Sequence, residues 1–338
     1  WMIAYMFQAV TEVLGWSAAS TWLTDFSISR NIIFSLIFAL MTIVIVSRGV
    51  SSGIEKWSGR LMPMLLVLIV LLIIYVSMQA GASEGWKAYL VPDFSKVLSG
   101  DLILSAMGQA FFSLSLGVGS MLVYGSYVSK KENLVSLGAS VALVDVGIAI
   151  MSGMLIIPAM YVALANGVTI FNEAGQLIGG DQLIFTVIPA LFETMGGAGD
   201  YVSFVFFVLM TIAALTSSIS MLEVPVAFTI ESTKLERKGA SWAIGIFVVL
   251  ISMLLIFNFE VLFGLVISLT TQYSQPLLGL MLCIFTGWVW KRDSILQEIK
   301  QGADDVESSL FWKIWPGYVR FVCPSLILAM AYHTIFVG

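Results

Sequence analysis

Histidine occurs once among the 338 residues, at His333, and cysteine only twice, at Cys283 and Cys323. So few thiols and imidazoles exclude a Cys/His zinc cluster and a disulfide framework. Both cysteines lie in apolar segments, where they read as small helix-packing residues. Charge is scarce too. Asp, Glu, Lys and Arg make up 11% of the chain, against 59% hydrophobic residues, and a soluble domain needs more polar surface than that. HExxH, a Ser/His/Asp constellation, a P-loop and a haem-attachment sequence are all absent, which leaves enzymology without visible chemistry. The chain reads as no enzyme, and nothing in its net charge of −5 points to nucleic acid.

What is present is apolar sequence in long runs, with a mean hydropathy of +0.98. Several runs reach the roughly 20 residues that span hydrocarbon as a helix. The chain is therefore an all-α polytopic membrane protein, with helices expected at 1–14, 31–49, 61–80, 102–128, 136–163, 200–230, 240–258, 261–290 and 315–336. The loop 164–199 carries an apolar stretch, LIFTVIPALF (183–192), too short to cross and better suited to a surface or re-entrant helix. The chain opens at Trp1 inside an apolar run and reads as an N-terminally truncated segment.

Basic residues give the orientation. Arg48, Lys56, Arg60, Lys130, Lys131, Lys234, Arg237, Lys238, Lys291, Arg292, Lys300, Lys313 and Arg320 fall in alternate loops. The other side holds only Arg30, Lys87 and Lys96. The positive-inside rule places the larger set in the cytoplasm of a multi-pass inner (plasma) membrane protein, with the C-terminus outside.

Three polar features interrupt the apolar runs. In QAFFSLSLGVGS (109–120), Gly117 and Gly119 each cost a helix about 1 kcal/mol relative to Ala. They either let neighbouring helices approach closely or mark a break whose freed backbone lines a site. In AALTSSISM (213–221), Ala213, Thr216, Ser217 and Ser220 share one helical face. Their oxygens suit a hard cation such as Na⁺, or the hydroxyls bond back to the preceding turn. Asp145 lies deep in LVDVGIAIMSG, where a carboxylate costs roughly 2.5–3.5 kcal/mol on insertion scales and reads as functional. Glu223 poses the same question nearer the cytoplasmic end. Gln109, Gln272 and Gln275 read as helix–helix hydrogen-bond partners, and His333 as structural.

Taken in order, these stretches resemble the neurotransmitter:sodium symporter family, in its bacterial branch. MGQAFFSLSLGVGSMLVYGSYV (107–128) resembles that family's sixth helix, and RGVSSGIEKWSGRLMP (48–63) its loop between helices four and five. GGDQLIFTVIPALFETMGG (179–197) resembles its fourth extracellular loop, and LTSSISMLEVP (215–225) its eighth helix. The resemblance implies two inverted five-helix repeats, here lacking the first two to three helices. Residues 1–100 would be the remnant of the first repeat and 101–290 the second. Residues 291–338 would hold a cytoplasmic loop and the final helix.

The resemblance also implies roles. Phe112, Ser113, Ser115, Val118, Ser217 and Met221 match substrate-pocket positions. Ser113 and Asp145 match the first sodium site, and Ala213, Thr216 and Ser217 the second. Ser126, Tyr127 and Glu231 match cytoplasmic-gate positions. A carboxylate at 145 corresponds to the arrangement that needs no chloride. The usual outer-gate acid on helix ten is not evident, and Glu260 is the nearest carboxylate. The function implied is Na⁺-coupled symport of an amino acid or related amine around a midplane site. The alternatives are a non-transporting receptor or scaffold on the same fold, or an inert truncated fragment. The oligomeric state is not legible.

Overall fold

Among the described residues of the computed structural model, six continuous helices are long and apolar enough to cross a membrane: Ile28–Ser47, Val50–Ser77, Leu134–Ala165, Gly197–Ser232, Arg237–Phe257 and Leu310–Thr334. The structure describes residues 1–91, 94–173, 175 and 177–336, without the side chains of residues 96, 181, 260, 304, 335 and 336. Glu260 as an outer-gate carboxylate thus lies outside the described residues. Among those described, helix dominates, and the sole β feature is an isolated bridge between Phe171 and Leu177. The all-α polytopic class expected from hydropathy is the class observed.

Local chemistry sets several boundaries. The Asn133 side chain accepts from the amides of Val135 (3.1 Å) and Ser136 (3.0 Å) and starts the Leu134–Ala165 helix. Three π-helical turns, Leu183–Val187, Ser268–Ser274 and Tyr318–Val322, each end two residues before a proline, at Pro189, Pro276 and Pro324. Proline lacks an amide N–H and crowds the carbonyl four residues back; widening that turn relieves the clash.

Two expectations need correction. The helix expected at 61–80 begins instead at Lys56, after a π-helical turn at Val50–Glu55. Nothing between 56 and 61 breaks a helix, and Lys56 and Arg60 are tolerated at its wet end. The segments between spans also hold short helices, Ser17–Thr24, Ala82–Leu90 and Arg292–Lys300, where loops were expected.

The chain divides into two compact units, residues 1–92 with 148–257, and 93–147 with 258–338. In the first, the Gly197–Ser232 helix is the hub. Of its apolar window 56% is buried inside the protein, against 28% or less for the other five spans. Met2–Val13, Ile28–Ser47, Lys56–Ser77 and Arg237–Phe257 all pack on it. Tyr5 stacks on Phe207 at 4.9 Å and donates its hydroxyl to the Phe185 carbonyl at 3.2 Å. The 180–194 helix buries Val187, Ile188 and Leu191 in the same core, so the short apolar stretch of that loop packs against the bundle.

In the second unit, Phe111, Ile327 and Met330 form a small core between the Gly100–Ser113 and Cys323–Phe336 helices. His333 contacts Asp101 across the same pair, 3.3 Å from Nε2 to Oδ1. A further cluster joins Ile295, Ile299, Val306 and Trp312.

Candidate ion and substrate site

The glycine- and serine-rich stretch breaks its helix. Gly100–Ser113 ends, Ser120–Tyr127 begins, and residues 114–119 between them are turns. Across the gap the helical ladder gives way to irregular bonds. Ser115 N–H donates to Phe112 O (3.0 Å), Leu116 N–H to Phe111 O (3.2 Å) and Val118 N–H to Ser115 O (3.3 Å).

Two glycines allow this for different reasons. Gly119 holds φ +87°, a left-handed conformation, at the entrance to the second half-helix. Gly117 is needed for space, because a Cβ there would stand 2.2 Å from the Gln275 carbonyl oxygen. The break thus touches the Gln275 backbone, where sequence suggested a role for its side-chain amide. Ser115 is the single non-glycine residue with positive φ among the described residues, at +53°.

At the end of the first half-helix, Ser113 Oγ donates to both oxygens of Asp145, at 2.7 and 2.9 Å. Asp145 stands on the Leu134–Ala165 helix, 32 residues away in sequence. Hydroxyl and carboxylate are both half-buried. Three oxygens and one formal negative charge therefore meet at a helix break. Phe112 is exposed, whereas Ser115 and Val118 are half-buried within the break.

On the Gly197–Ser232 helix, Thr216 is buried. Its Oγ1 donates to the carbonyls of Ala213 (3.0 Å) and Ile212 (3.1 Å). The hydroxyl and the Ala213 carbonyl so stand side by side, which shows both features of the sequence reading: shared-face oxygens, and a hydroxyl bonded back to the preceding turn. Ser220 donates to the Thr216 carbonyl at 3.2 Å. Ser217 and Met221 are exposed on this helix.

The gate candidates lie near helix ends. Ser126 Oγ donates to the Val123 carbonyl at 2.6 Å, Tyr127 pairs with Tyr124 at 6.4 Å, and Glu231 is exposed.

Sequence reasoning missed the partner of Glu223. This fully buried carboxylate forms an ion pair with Arg237, whose Nε also donates to the Val46 carbonyl at 3.1 Å. The only sequence signal was an acid in an apolar helix with a basic residue 14 positions on. A hydroxyl pair, Thr42 and Ser218 at 2.8 Å, joins Ile28–Ser47 to Gly197–Ser232 and was also not foreseen.

Comparison with known proteins gives one consistent result. The sodium:neurotransmitter symporter family matches residues 23–337. A sodium-dependent transporter of Bacillus subtilis, YhdH, is 31% identical over 350 residues, covering 99% of this chain and 74% of that protein. A sodium-dependent transporter of Haemophilus influenzae is 30% identical over 361 residues, with the same coverage of 99% and 74%. The crystal structure of MhsT in complex with L-phenylalanine matches with a TM-score of 0.80 and 32% identity, over 99% of this chain and 76% of that one. With its apolar spans and the match running almost end to end, the chain belongs to the sodium:neurotransmitter symporter family, as a multi-pass sodium-dependent transporter.

Proposed function

We propose that this protein couples the entry of Na⁺ to uptake of an amino acid or a related small amine, by alternating access around the helix break. The observation that carries the reading is the Ser113–Asp145 pair at the end of the first half-helix. Its oxygens are hard ligands of the kind hard cations choose. When Na⁺ binds, the Ser113 hydroxyl turns its proton away and offers lone pairs together with the carboxylate. The ion's charge then cancels that of Asp145 in a low-dielectric setting, so the protein supplies the counter-charge and chloride is not required. Ala213, Thr216 and Ser217 are proposed as ligands of a second sodium ion.

Phe112, Ser113, Ser115 and Val118 in the break, and Ser217 and Met221 on the Gly197–Ser232 helix, are the proposed substrate contacts. Ser126, Tyr127 and Glu231 are the proposed cytoplasmic-gate residues. L-phenylalanine bound to MhsT supports an amino-acid substrate for this relative of 32% identity. The inverted-repeat division, with 101–290 as the second repeat, is kept as part of the proposal. So is the orientation in a plasma membrane, with the basic loops in the cytoplasm and the C-terminus outside.

Uptake of labelled amino acids by the protein in liposomes, with Na⁺ or choline outside, tests this reading. Uptake that is driven by Na⁺ and lost in Asp145→Ala, with normal insertion, supports it. Equal uptake in choline overturns it.

A further inference from the structure

The second unit contains a cavity of about 450 Å³ that the transport reading does not use. It lies where residues 286–292 meet residues 312–321. Lys291, Arg292 and Arg320 line it, and among the described residues no carboxylate does. Tryptophan supplies much of the remaining wall. The Arg320 guanidinium lies 4.0 Å above the Trp288 ring and that of Arg292 lies 5.4 Å above Trp312. Trp312 in turn stacks on Trp315 at 6.0 Å. Both arginines sit over aromatic rings, a cation–π contact that uses no N–H donor directed at an oxygen and so leaves donors for an anion. None of the three cations forms an ion pair with a carboxylate among the described residues.

The position matters as much as the charge. Tryptophans gather at the level of lipid headgroups, and Arg320, which lies inside the Leu310–Thr334 span, carries a side chain long enough to extend towards that level. Farther along the final helix, a second cavity of about 380 Å³ is almost wholly apolar, with Phe111, Leu114, Gly279, Leu326 and Met330 in its wall. From Arg320 to Met330 the helix runs about 15 Å, and the apolar cavity lies along that stretch. A cationic, tryptophan-lined cavity and an apolar groove therefore lie along the same final helix.

We infer that this face is a binding site for an anionic glycerophospholipid, its phosphate held by Lys291, Arg292 and Arg320 and one acyl chain laid in the groove beside Phe111 and Leu114. A polar ligand from solution would have no use for the groove, and a zwitterionic lipid would bring a cation to a site that already holds three. Basic pockets between membrane helices recognise anionic headgroups by this chemistry. The acyl chain would rest against the first half of the broken helix, which makes the lipid a structural support of the break.

Native mass spectrometry of the full chain in detergent provides the test, with dioleoylphosphatidylglycerol or dioleoylphosphatidylcholine added. Phosphatidylglycerol should bind more tightly, and Lys291→Gln and Arg320→Gln should each weaken it about fivefold. Lys313→Gln, an exposed cation outside the cavity wall, should leave binding unchanged. If Arg320→Gln does not fold, the exposed Lys291→Gln carries the test alone. Equal binding of the two lipids overturns the inference, and so do variants that keep full phosphatidylglycerol affinity. Displacement of the lipid by glycerol 3-phosphate would assign the cavity to a free anion instead and likewise overturn it.

Discussion

Two side chains at one helix end carry most of the proposed chemistry. Ser113 and Asp145 are joined at 2.7 and 2.9 Å, so their oxygens are already gathered where a cation would sit. Opposite unit charges about 3 Å apart at an effective dielectric of about 20 interact by about 5 kcal/mol, an upper bound before desolvation. Even a third of that is worth more than tenfold in affinity. Asp145→Asn, nearly isosteric, should raise the half-saturating Na⁺ concentration at least tenfold in uptake assays. Ser113→Thr should retain coupling, because the hydroxyl remains, whereas Ser113→Ala should weaken it. Ser115 tests the backbone rather than the ligands. Its φ of +53° is costly for any side chain, most of all a branched one. Thermal melts in detergent should therefore rank Ser115→Gly at or above the native protein, with Ser115→Val about 2 kcal/mol lower. Native stability in Ser115→Val would show that the left-handed turn does not form. Asp145 was legible as functional from its cost in an apolar segment. Its link to Ser113 was not, because the two lie 32 residues apart on different helices.

At the scale of elements, the break was legible as a weak point, because paired glycines in an apolar run either pack or unwind. The residue pattern alone left both open, the family resemblance favoured the break, and the structure shows both uses. Gly119 turns the chain, and Gly117 lets it lie against Gln275. Gly117→Ala should cost both melting temperature and transport, since its Cβ meets rigid backbone at 2.2 Å rather than a movable side-chain tip. Full activity in that variant would mean the two segments do not touch. The π-turns escaped the sequence reading because hydropathy does not distinguish a helix of 3.6 residues per turn from one locally widened. Their proline spacing is visible only once the turns are known. The Glu223–Arg237 pair escaped for another reason: its members lie on successive helices, and burial alone makes the pairing necessary. Arg237 ties Glu223 to the carbonyl end of Ile28–Ser47, a favourable place for a cation. Arg237→Met would leave a fully buried carboxylate without this partner and should destabilise the protein by about 3–5 kcal/mol. A loss below about 1 kcal/mol in denaturant titrations would refute that account.

For the whole molecule, hydropathy was enough to read an all-α membrane protein, because bilayer thickness constrains helix length so tightly. The short helices between spans were not legible, since in Ser17–Thr24 and Ala82–Leu90 local polarity looks like that of a loop. Both proposed sodium sites can be tested together through stability. A ligand that binds only the folded state stabilises it by about 2.7 kcal/mol when present at about 100 times its dissociation constant. Two independent sodium sites should therefore raise the melting temperature in Na⁺ above that in choline in two separable steps. Asp145→Asn should remove one, and Thr216→Val, which keeps the shape and deletes the hydroxyl, the other. The double variant should melt at the same temperature in either salt. Ionic strength is held constant, so screening of surface charges cannot produce the difference. If the double variant still melts higher in Na⁺ than in choline, the ion binds elsewhere, and the assignments of Asp145 and Thr216 fail together.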